Sequence, residues 1–216
     1  MLQEGYWYGL PLVLITGGLL GFWYREQSPF LLACAIFFLF LAFLILNFFR
    51  DPERSIPTQA QAIISPADGR VVQVVQESYE GCPVCRVSIF MSPLDVHVNR
   101  APIAGVIKEV NYRKGTFRAA MEDAASSENE QNVFTLEGEQ GRVVVKQIAG
   151  VLARRIVFWK RPGDSLARGE RVGLIKFGSR VDVLMDPEVT LSIKVGDRVR
   201  AGSSILGTSQ HSSETQ

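Results

Sequence analysis

The chain has 216 residues, of which 47% are hydrophobic, and its formal net charge is +1. This length allows one domain of ordinary size together with a membrane anchor. The nearly balanced charge gives no global case for nucleic-acid binding. With only three cysteines, the chain does not have the composition of a secreted protein built on disulfides.

The first 49 residues are predicted to form a membrane anchor. No charged residue occurs over residues 5–24 or 27–49, and each run approaches the roughly 20 apolar residues that cross a bilayer core. A polar turn over 25–29 separates the runs, and tyrosines and tryptophans flank the first one. We therefore expect a helical hairpin, either spanning or re-entrant. Two buried core helices are the alternative, although the second run has no polar face.

The ends of the hairpin give a weak indication of its orientation. Glu4 and the doubled apolar run do not fit a cleaved signal peptide, which has a basic start and one short apolar core. Arg50 and Arg54 follow the second run, whereas Arg25 alone lies in the turn. By the positive-inside rule, the main domain is expected on the cytoplasmic face of the cell (inner) membrane.

Residues 50–216 are predicted to form a mainly β domain. Short β-branched runs are punctuated by Gly, Pro, Asp and Asn, which favours an antiparallel sandwich or barrel-like fold. The predicted strands cover 70–75, 86–90, 105–110, 141–148, 155–159, 172–177 and 181–184. The best helix candidate covers 116–128.

A weak internal repeat lies near the carboxyl end. Gly163-Asp164 and Gly196-Asp197 are each followed by further glycines at similar spacing, a turn pattern that resembles biotinyl and lipoyl carrier domains. Lys194 lies directly before the second turn and not at a hairpin tip between suitable flanks, so it does not match a carrier attachment lysine. We interpret the repeat as architectural.

The cysteines do not predict a metal site. Cys34 lies in an apolar run, and Cys82 and Cys85 form a single C-x-x-C motif. Two thiols cannot complete a structural zinc site, and the sequence has no second C-x-x-C or nearby histidine pair. Ordinary packing or surface thiols are the preferred interpretation, with a redox or metal role as the alternative.

Four segments contain the residue types that chemistry would need. Taken singly, each has a structural explanation: Asp68-Gly69 is a common turn pair, His97 could be one more hydrogen-bonded histidine, and Gly178-Ser179 could be a hairpin tip.

Together, Ser, His and Asp are the parts of an activated hydroxyl nucleophile. No G-x-S-x-G elbow is present, which disfavours ordinary ester or peptide hydrolysis. A serine after glycine suits attack on the preceding carbonyl, because Gly178 tolerates strained dihedrals. The segments are FFRDPER (48–54), SPADG (65–69), MSPLDVHVNRAP (91–102) and KFGSRVDV (176–183).

These motifs resemble the short, bacterial and archaeal branch of the phosphatidylserine decarboxylases, over about residues 48–207. The resemblance implies self-cleavage between Gly178 and Ser179 into a β chain, 1–178, and an α chain, 179–216. Asp68 would orient His97, which would take the proton of Ser179. Ser179 would become a covalent pyruvoyl group that forms a Schiff base with phosphatidylserine. Loss of carbon dioxide would give phosphatidylethanolamine for phospholipid biosynthesis. Pairing between 172–177 and 181–184 would hold the two chains together.

Two positions depart from the larger members of the family. The cleavage motif reads Phe177-Gly178-Ser179-Arg180 in place of Leu-Gly-Ser-Thr, and Arg100 occupies the place of a second histidine. Either His97 serves both cleavage and decarboxylation or another group serves one step. Leu206-Gly207-Thr208 is similar to the cleavage motif but lacks the serine.

Other partners are predicted in less detail. Cationic side chains suit the substrate phosphate, and the candidates are Arg100, Arg113, Lys114, Arg154 and Arg155. Residues 128–130 resemble a polar family segment that reaches the substrate. A homo-oligomer is left open. Three alternatives also remain: a membrane-tethered binding module that stays uncleaved, an enzyme for another serine lipid such as archaetidylserine, and a carrier modified on lysine.

Overall fold

The computed structural model describes residues 1–118, 125–151, 155–176 and 178–210. Its contacts divide the chain into two compact units, Met1–Glu53 and Arg54–Gln216. The first unit is helical, and the second unit holds all of the described strands.

Two apolar helices make up the first unit: α1 (Gln3–Glu26) and α2 (Pro29–Phe48). Gln27 ends α1 in a left-handed conformation, with its N–H donating to the Trp23 carbonyl at 2.7 Å. Gly9 allows the helices to approach closely, since a Cβ there would lie 2.4 Å from Leu46 Cδ2. Both helices are long and apolar enough to cross a membrane, with mean hydropathies of 1.3 and 2.9. The predicted helical hairpin is confirmed.

The β unit is built from three antiparallel sheets. An eight-stranded sheet curls into a half-barrel, in the order β13-β2-β3-β11-β7-β6-β5-β9. Two three-stranded sheets have the orders β4-β10-β8 and β1-β14-β12. The strands are β1 (Ala62–Ile64), β2 (Gly69–Tyr79), β3 (Cys82–Met91), β4 (Val98–Arg100), β5 (Gly105–Arg113), β6 (Gln131–Gly138), β7 (Gly141–Ala149), β8 (Arg155–Phe158), β9 (Ser165–Leu166), β10 (Arg171–Lys176), β11 (Ser179–Met185), β12 (Thr190–Leu191), β13 (Arg198–Val199) and β14 (Ile205–Thr208). The predicted mainly β, antiparallel fold is confirmed.

The hydrophobic core covers the concave face of the large sheet. Alternate residues of its central strands point inward, as the period of two in a strand requires. On β11 these are Val181, Val183 and Met185, and the facing positions of β3 are Ile89, Val87 and Cys85. Side chains from β10 of the smaller sheet complete the same core.

The two Gly-Asp segments fold as matching turns. In each turn the N–H of the first residue donates to the aspartate carboxylate, from Arg161 to Asp164 at 2.8 Å and from Lys194 to Asp197 at 3.0 Å. The glycine before each aspartate has a positive φ, 92° in the first turn and 98° in the second, which favours glycine. Each turn docks through the same pair of backbone hydrogen bonds, the first on β5 and the second on β2. The weak repeat is therefore a structural one.

Two local predictions need correction. Strand β10 pairs with β4 and β8, while β11 pairs with β3 and β7, so the predicted pairing between 172–177 and 181–184 is wrong. The left-handed Gly178, with a φ of 46°, lies between the two sheets instead of at a hairpin tip. The helix predicted over 116–128 is observed only as α3 (Ala125–Glu128). Thr116 instead forms a parallel bridge with Asn129, and residues 119–124 lie outside the described part.

Candidate active site

Ser179 is the first residue of the central strand β11. It pairs with Met91 on β3 and Ala149 on β7, and its side chain is fully buried. Its Oγ donates to the Met91 sulfur at 3.4 Å. Gly178 precedes it in a left-handed conformation, with open space where a Cβ would stand, so the preference for glycine here is conformational. The chain thus enters the sheet at the Gly178–Ser179 peptide bond.

His97 lies immediately before β4 and is 1% exposed. Its Nδ1 is 2.9 Å from the Asp95 carbonyl oxygen. A carbonyl only accepts hydrogen bonds, so Nδ1 carries the hydrogen and Nε2 has the lone pair in the neutral ring. Asp95 is itself held in a turn with Ser92, whose N–H donates to the Asp95 carboxylate at 2.8 Å. This turn favours the tautomer in which His97 Nε2 carries the lone pair.

Asp68 is held by donors that the sequence did not predict. Arg54 Nη2 lies 2.9 Å from each of its carboxylate oxygens, and the Ala201 N–H donates to Oδ1 at 2.8 Å. The Arg54 and Asp68 side chains are 9% and 14% exposed. The Asp68 carboxylate thus accepts three hydrogen bonds, two from a guanidinium group and one from the backbone. The only sequence signal for Arg54 was its place in the segment that follows the apolar helices.

A chain of buried amides extends from the sheet to the Met91 sulfur. Asn132 donates to Gln147 Oε1 at 2.9 Å, and Gln147 donates to Asn99 Oδ1 at 2.8 Å. The Asn99 amide nitrogen then faces the Met91 sulfur at 3.8 Å. His97 lies two residues before Asn99 in the same segment. The structure therefore brings the predicted MSPLDVHVNRAP segment and Ser179 together around Met91.

The opposite face of β11 is occupied by a buried ion pair. Arg180 Nε donates to Asp182 Oδ1 at 2.6 Å, and both side chains are at most 1% exposed. Arg180 Nη2 also donates to Ser88 Oγ at 2.9 Å on β3 and to Gln73 Oε1 at 3.1 Å on β2. These hydrogen bonds link β11 to its neighbour β3 and to β2 beyond it, immediately after Ser179. The sequence had noted Arg180 only as a departure from the larger members.

The basic candidates for the substrate phosphate lie in different places. Arg155 is exposed on β8 and pairs with Lys176, two residues before Gly178. Arg100 is 6% exposed, and its Nη1 donates to the Gly169 carbonyl at 3.0 Å. Arg113 and Lys114 are exposed at the far end of β5, and Arg154 lies outside the described residues.

The polar segment at 128–130 has a structural explanation. Asn129 is fully buried, and its amide nitrogen donates to the carbonyls of Arg118 and Ala149 at 2.9 and 2.7 Å. Its oxygen accepts from the Arg118 N–H at 2.9 Å and from the Thr116 hydroxyl at 3.2 Å. Asn129 therefore anchors its loop to Ala149, the β7 residue that pairs with Ser179. Both the nitrogen and the oxygen of its side-chain amide already have hydrogen-bond partners.

The two thiols of the C-x-x-C motif point away from each other. Cys82 and Cys85 lie three residues apart on β3, so they project from opposite faces of the strand. Cys82 is exposed, whereas Cys85 lies in the core, where burial raises the pKa of its thiol and suppresses the reactive thiolate. Among the described residues there is no group of three or more His, Cys, Asp or Glu side chains that could hold a metal ion.

Comparison with known proteins identifies relatives over most of the chain. The sequence profile of the family described as phosphatidylserine decarboxylase matches residues 41–207. A phosphatidylserine decarboxylase proenzyme from Solibacter usitatus is 53% identical over 172 residues, covering 80% of this chain and 82% of its own. Proenzymes of the same name from Carboxydothermus hydrogenoformans and Geobacter metallireducens are 42% and 41% identical over 214 and 209 residues. These matches cover 96% and 94% of this chain and 95% and 94% of the relatives.

The matching family and the relatives define the class of this protein as a carboxy-lyase. The chain belongs to the phosphatidylserine decarboxylase family.

Proposed function

We propose that the chain cuts itself between Gly178 and Ser179 and then decarboxylates phosphatidylserine to phosphatidylethanolamine in phospholipid biosynthesis. The observation that carries this proposal is the position of Ser179, buried at the start of β11 directly after a left-handed glycine. The names of its relatives as proenzymes support the same chemistry.

The cleavage begins with the Ser179 hydroxyl. Its oxygen attacks the Gly178 carbonyl carbon, the peptide C–N bond breaks, and an ester joins the two residues. Loss of the Ser179 α-proton then expels the Gly178 carboxylate and leaves dehydroalanine. Addition of water releases ammonia and leaves a pyruvoyl group at the start of residues 179–216. Each step uses only the chain and one water molecule.

We assign the proton transfers of cleavage to His97. Its Nε2 has the lone pair because Nδ1 donates to the Asp95 carbonyl, so Nε2 accepts the Ser179 proton. Asp68, which accepts hydrogen bonds from Arg54 and the Ala201 N–H, is proposed to stabilise the resulting imidazolium electrostatically, while the Asp95 carbonyl holds Nδ1. Because Arg100 donates to the Gly169 carbonyl, we propose that His97 serves decarboxylation as well as cleavage.

Ser179 is also the residue that would carry the pyruvoyl group, and its surroundings fit this small, uncharged group. The site is buried and is lined on one side by the Met91 sulfur. When present, the group supplies an electrophilic carbonyl that binds the substrate amine and accepts the electron pair left by carbon dioxide. His97 then returns the proton to the substrate carbon.

The substrate phosphate is proposed to lie against Arg155. Among the described basic candidates, Arg155 is exposed, and it pairs with Lys176 on the neighbouring strand. Lys176 lies two residues before Gly178, so Arg155 is close in the sheet to the proposed cleavage point. Arginine suits two simultaneous hydrogen bonds to phosphate oxygens. The two apolar helices are proposed to anchor the enzyme in the cell (inner) membrane, with the β unit on the cytoplasmic face.

The intact mass of the purified chain under denaturing conditions tests the proposal. We expect two fragments that divide between Gly178 and Ser179, with the smaller one blocked at its start by a pyruvoyl group. Ser179→Ala is expected to stay whole and inactive, because no hydroxyl remains to attack Gly178. An active preparation that contains only the uncut chain would overturn the proposal. So would a Ser179→Ala chain that is cleaved at this bond.

A further inference from the structure

A cleft on the outer face of the large sheet is lined by two cations, several neutral polar side chains and one valine among the described residues. Its volume is about 360 Å³, and we call it the cationic cleft. Every polar side chain of its lining has an N–H or O–H group, and none of the described lining residues is a carboxylate. The lining residues are Tyr79, Asn111, Arg113, Ser126, Ser127, Gln131, Val133 and Lys146.

Lys146 is the central cation of the cleft. It is half-buried on β7, and its Nζ lies 4.3 Å from the centre of the Tyr79 ring. Among the described residues, no carboxylate lies within ion-pair distance of it. Burial accordingly lowers the pKa of its ammonium group. A cation in this position is stabilised when an anion joins it, because desolvation without a partner is unfavourable.

Arg113 is the second cation, at the end of β5. Its guanidinium donates to the Ser127 carbonyl, which positions it beside the cleft, and no described carboxylate pairs with it. Three carboxylates near the cleft are bonded to other arginines, Glu77 to Arg86, Glu80 to Arg142 and Asp182 to Arg180, and Glu109 accepts a hydrogen bond from the Asn111 side chain at 2.6 Å. The two charged side chains among the described lining residues are therefore both cations.

The wall of the cleft also contacts the buried ion pair of β11. Ser126 Oγ donates to Asp182 Oδ2 at 2.8 Å, so this carboxylate is shared between the α3 hydroxyl and Arg180. Arg180 Nη1 is buried and has no hydrogen-bond partner among the described residues. One buried donor beneath the cleft is thus left without an acceptor among the described residues.

We propose that the cationic cleft binds a phosphate group, either as a free anion or on a phospholipid headgroup. Lys146 offers a point charge, and Arg113 offers the paired donors of a guanidinium group. A phosphate oxyanion is the ligand that satisfies such a set of groups.

This site is separate from the one that would hold the reacting headgroup. Lys146 pairs with Asp182, three residues after Ser179, which places it about 10 Å along the strand and on the opposite face. Only three bonds separate the serine α-carbon of the substrate from its phosphorus atom. One headgroup therefore cannot react at Ser179 and place its phosphate in the cationic cleft.

Binding to the full-length chain in non-ionic detergent micelles tests the proposal. Inorganic phosphate and glycerophosphoglycerol are titrated separately by calorimetry at constant ionic strength. We expect at least one probe to bind, and Lys146→Gln to weaken its binding by about tenfold or more, as for loss of a hydrogen bond to a charged group. Lys146→Arg should retain most of the affinity. Binding of phosphate alone identifies a free anion as the ligand, whereas binding of the diester identifies a headgroup.

Lys108→Gln is the matched control, because Lys108 is an exposed cation on β5 that pairs with Glu137 at 3.1 Å outside the cleft. Its binding should equal that of the wild type. The proposal is overturned if neither probe binds, or if Lys108→Gln weakens binding as much as Lys146→Gln. Thermal melting of each variant shows that the fold is retained. The readout is binding and not activity, so it is independent of whether the chain cleaves itself.

Discussion

The two faces of strand β11 differ sharply in chemistry although both are buried. One face carries Ser179, Val181 and Val183 and points into the hydrophobic core. The other carries Arg180 and Asp182, which form an ion pair with hydrogen bonds to neighbouring strands. Because side chains alternate along a strand, one short segment can carry the proposed reactive serine on one side and a buried ion pair on the other. We infer that Ser179 contributes mainly to the rate of self-cleavage and that the Arg180–Asp182 ion pair contributes mainly to the stability of the fold.

The largest expected effect is on the reactive face. His97→Ala should slow self-cleavage by roughly 10²–10⁴-fold, the usual contribution of a positioned acid–base group. Its melting temperature should change little in comparison. The fraction of uncut chain is measured over time on denaturing gels after cell-free synthesis. If His97→Ala cleaves at the wild-type rate, the assignment of the base is wrong and the contrast between the faces fails.

The second effect concerns the ionic face. Asp182→Ala should lower the free energy of unfolding by about 3–5 kcal/mol, because it leaves the buried Arg180 charge uncompensated. The double variant Arg180→Met with Asp182→Leu should recover much of this loss, since it removes both charges together. Urea unfolding measures both values. Cleavage should continue in the double variant at low temperature, and its complete loss there would show that this face also takes part in the chemistry.

The smallest effects are expected at the C-x-x-C motif. Its two cysteines lie on opposite faces of β3, with Cys82 exposed and Cys85 buried. Cys82→Ser should change stability by no more than about 0.5 kcal/mol, as is usual for an exposed position. Cys85→Ser places a hydroxyl in the core and should cost about 1–3 kcal/mol. Both variants should still cleave, as mass spectrometry would show. Loss of cleavage in either one would revive a thiol or metal role.

The sequence was a good guide to local structure and a poor one to long-range pairing. The apolar runs predicted α1 and α2, and the β-branched runs located most of the long strands. Adjacent runs suggested that β10 and β11 pair, because neighbours in sequence commonly do. The left-handed Gly178 instead lies between two sheets, and the partners of β11 come from distant segments. Periodicity carries no information about such partners.

The candidate site shows the same difference between local features, which the sequence predicts, and tertiary contacts, which it does not. Asp68, His97 and Ser179 are predicted as site residues because their residue types carry recognisable chemistry and their motifs resemble a known family. Arg54 and the Asp95 carbonyl were missed because their roles depend on tertiary contacts. The Asn99–Gln147 amide pair was missed because buried amides give no sequence signal until their partners are known.

The place of β11 in the middle of the large sheet has a consequence for the processed molecule. A cut before Ser179 would leave the new chain end hydrogen-bonded to β3 on one side and β7 on the other. To release the small fragment, both ladders would have to separate and the core residues of β11 would have to enter water. The processed enzyme should therefore migrate as one particle in native gel filtration, and its two polypeptides should appear only after denaturation.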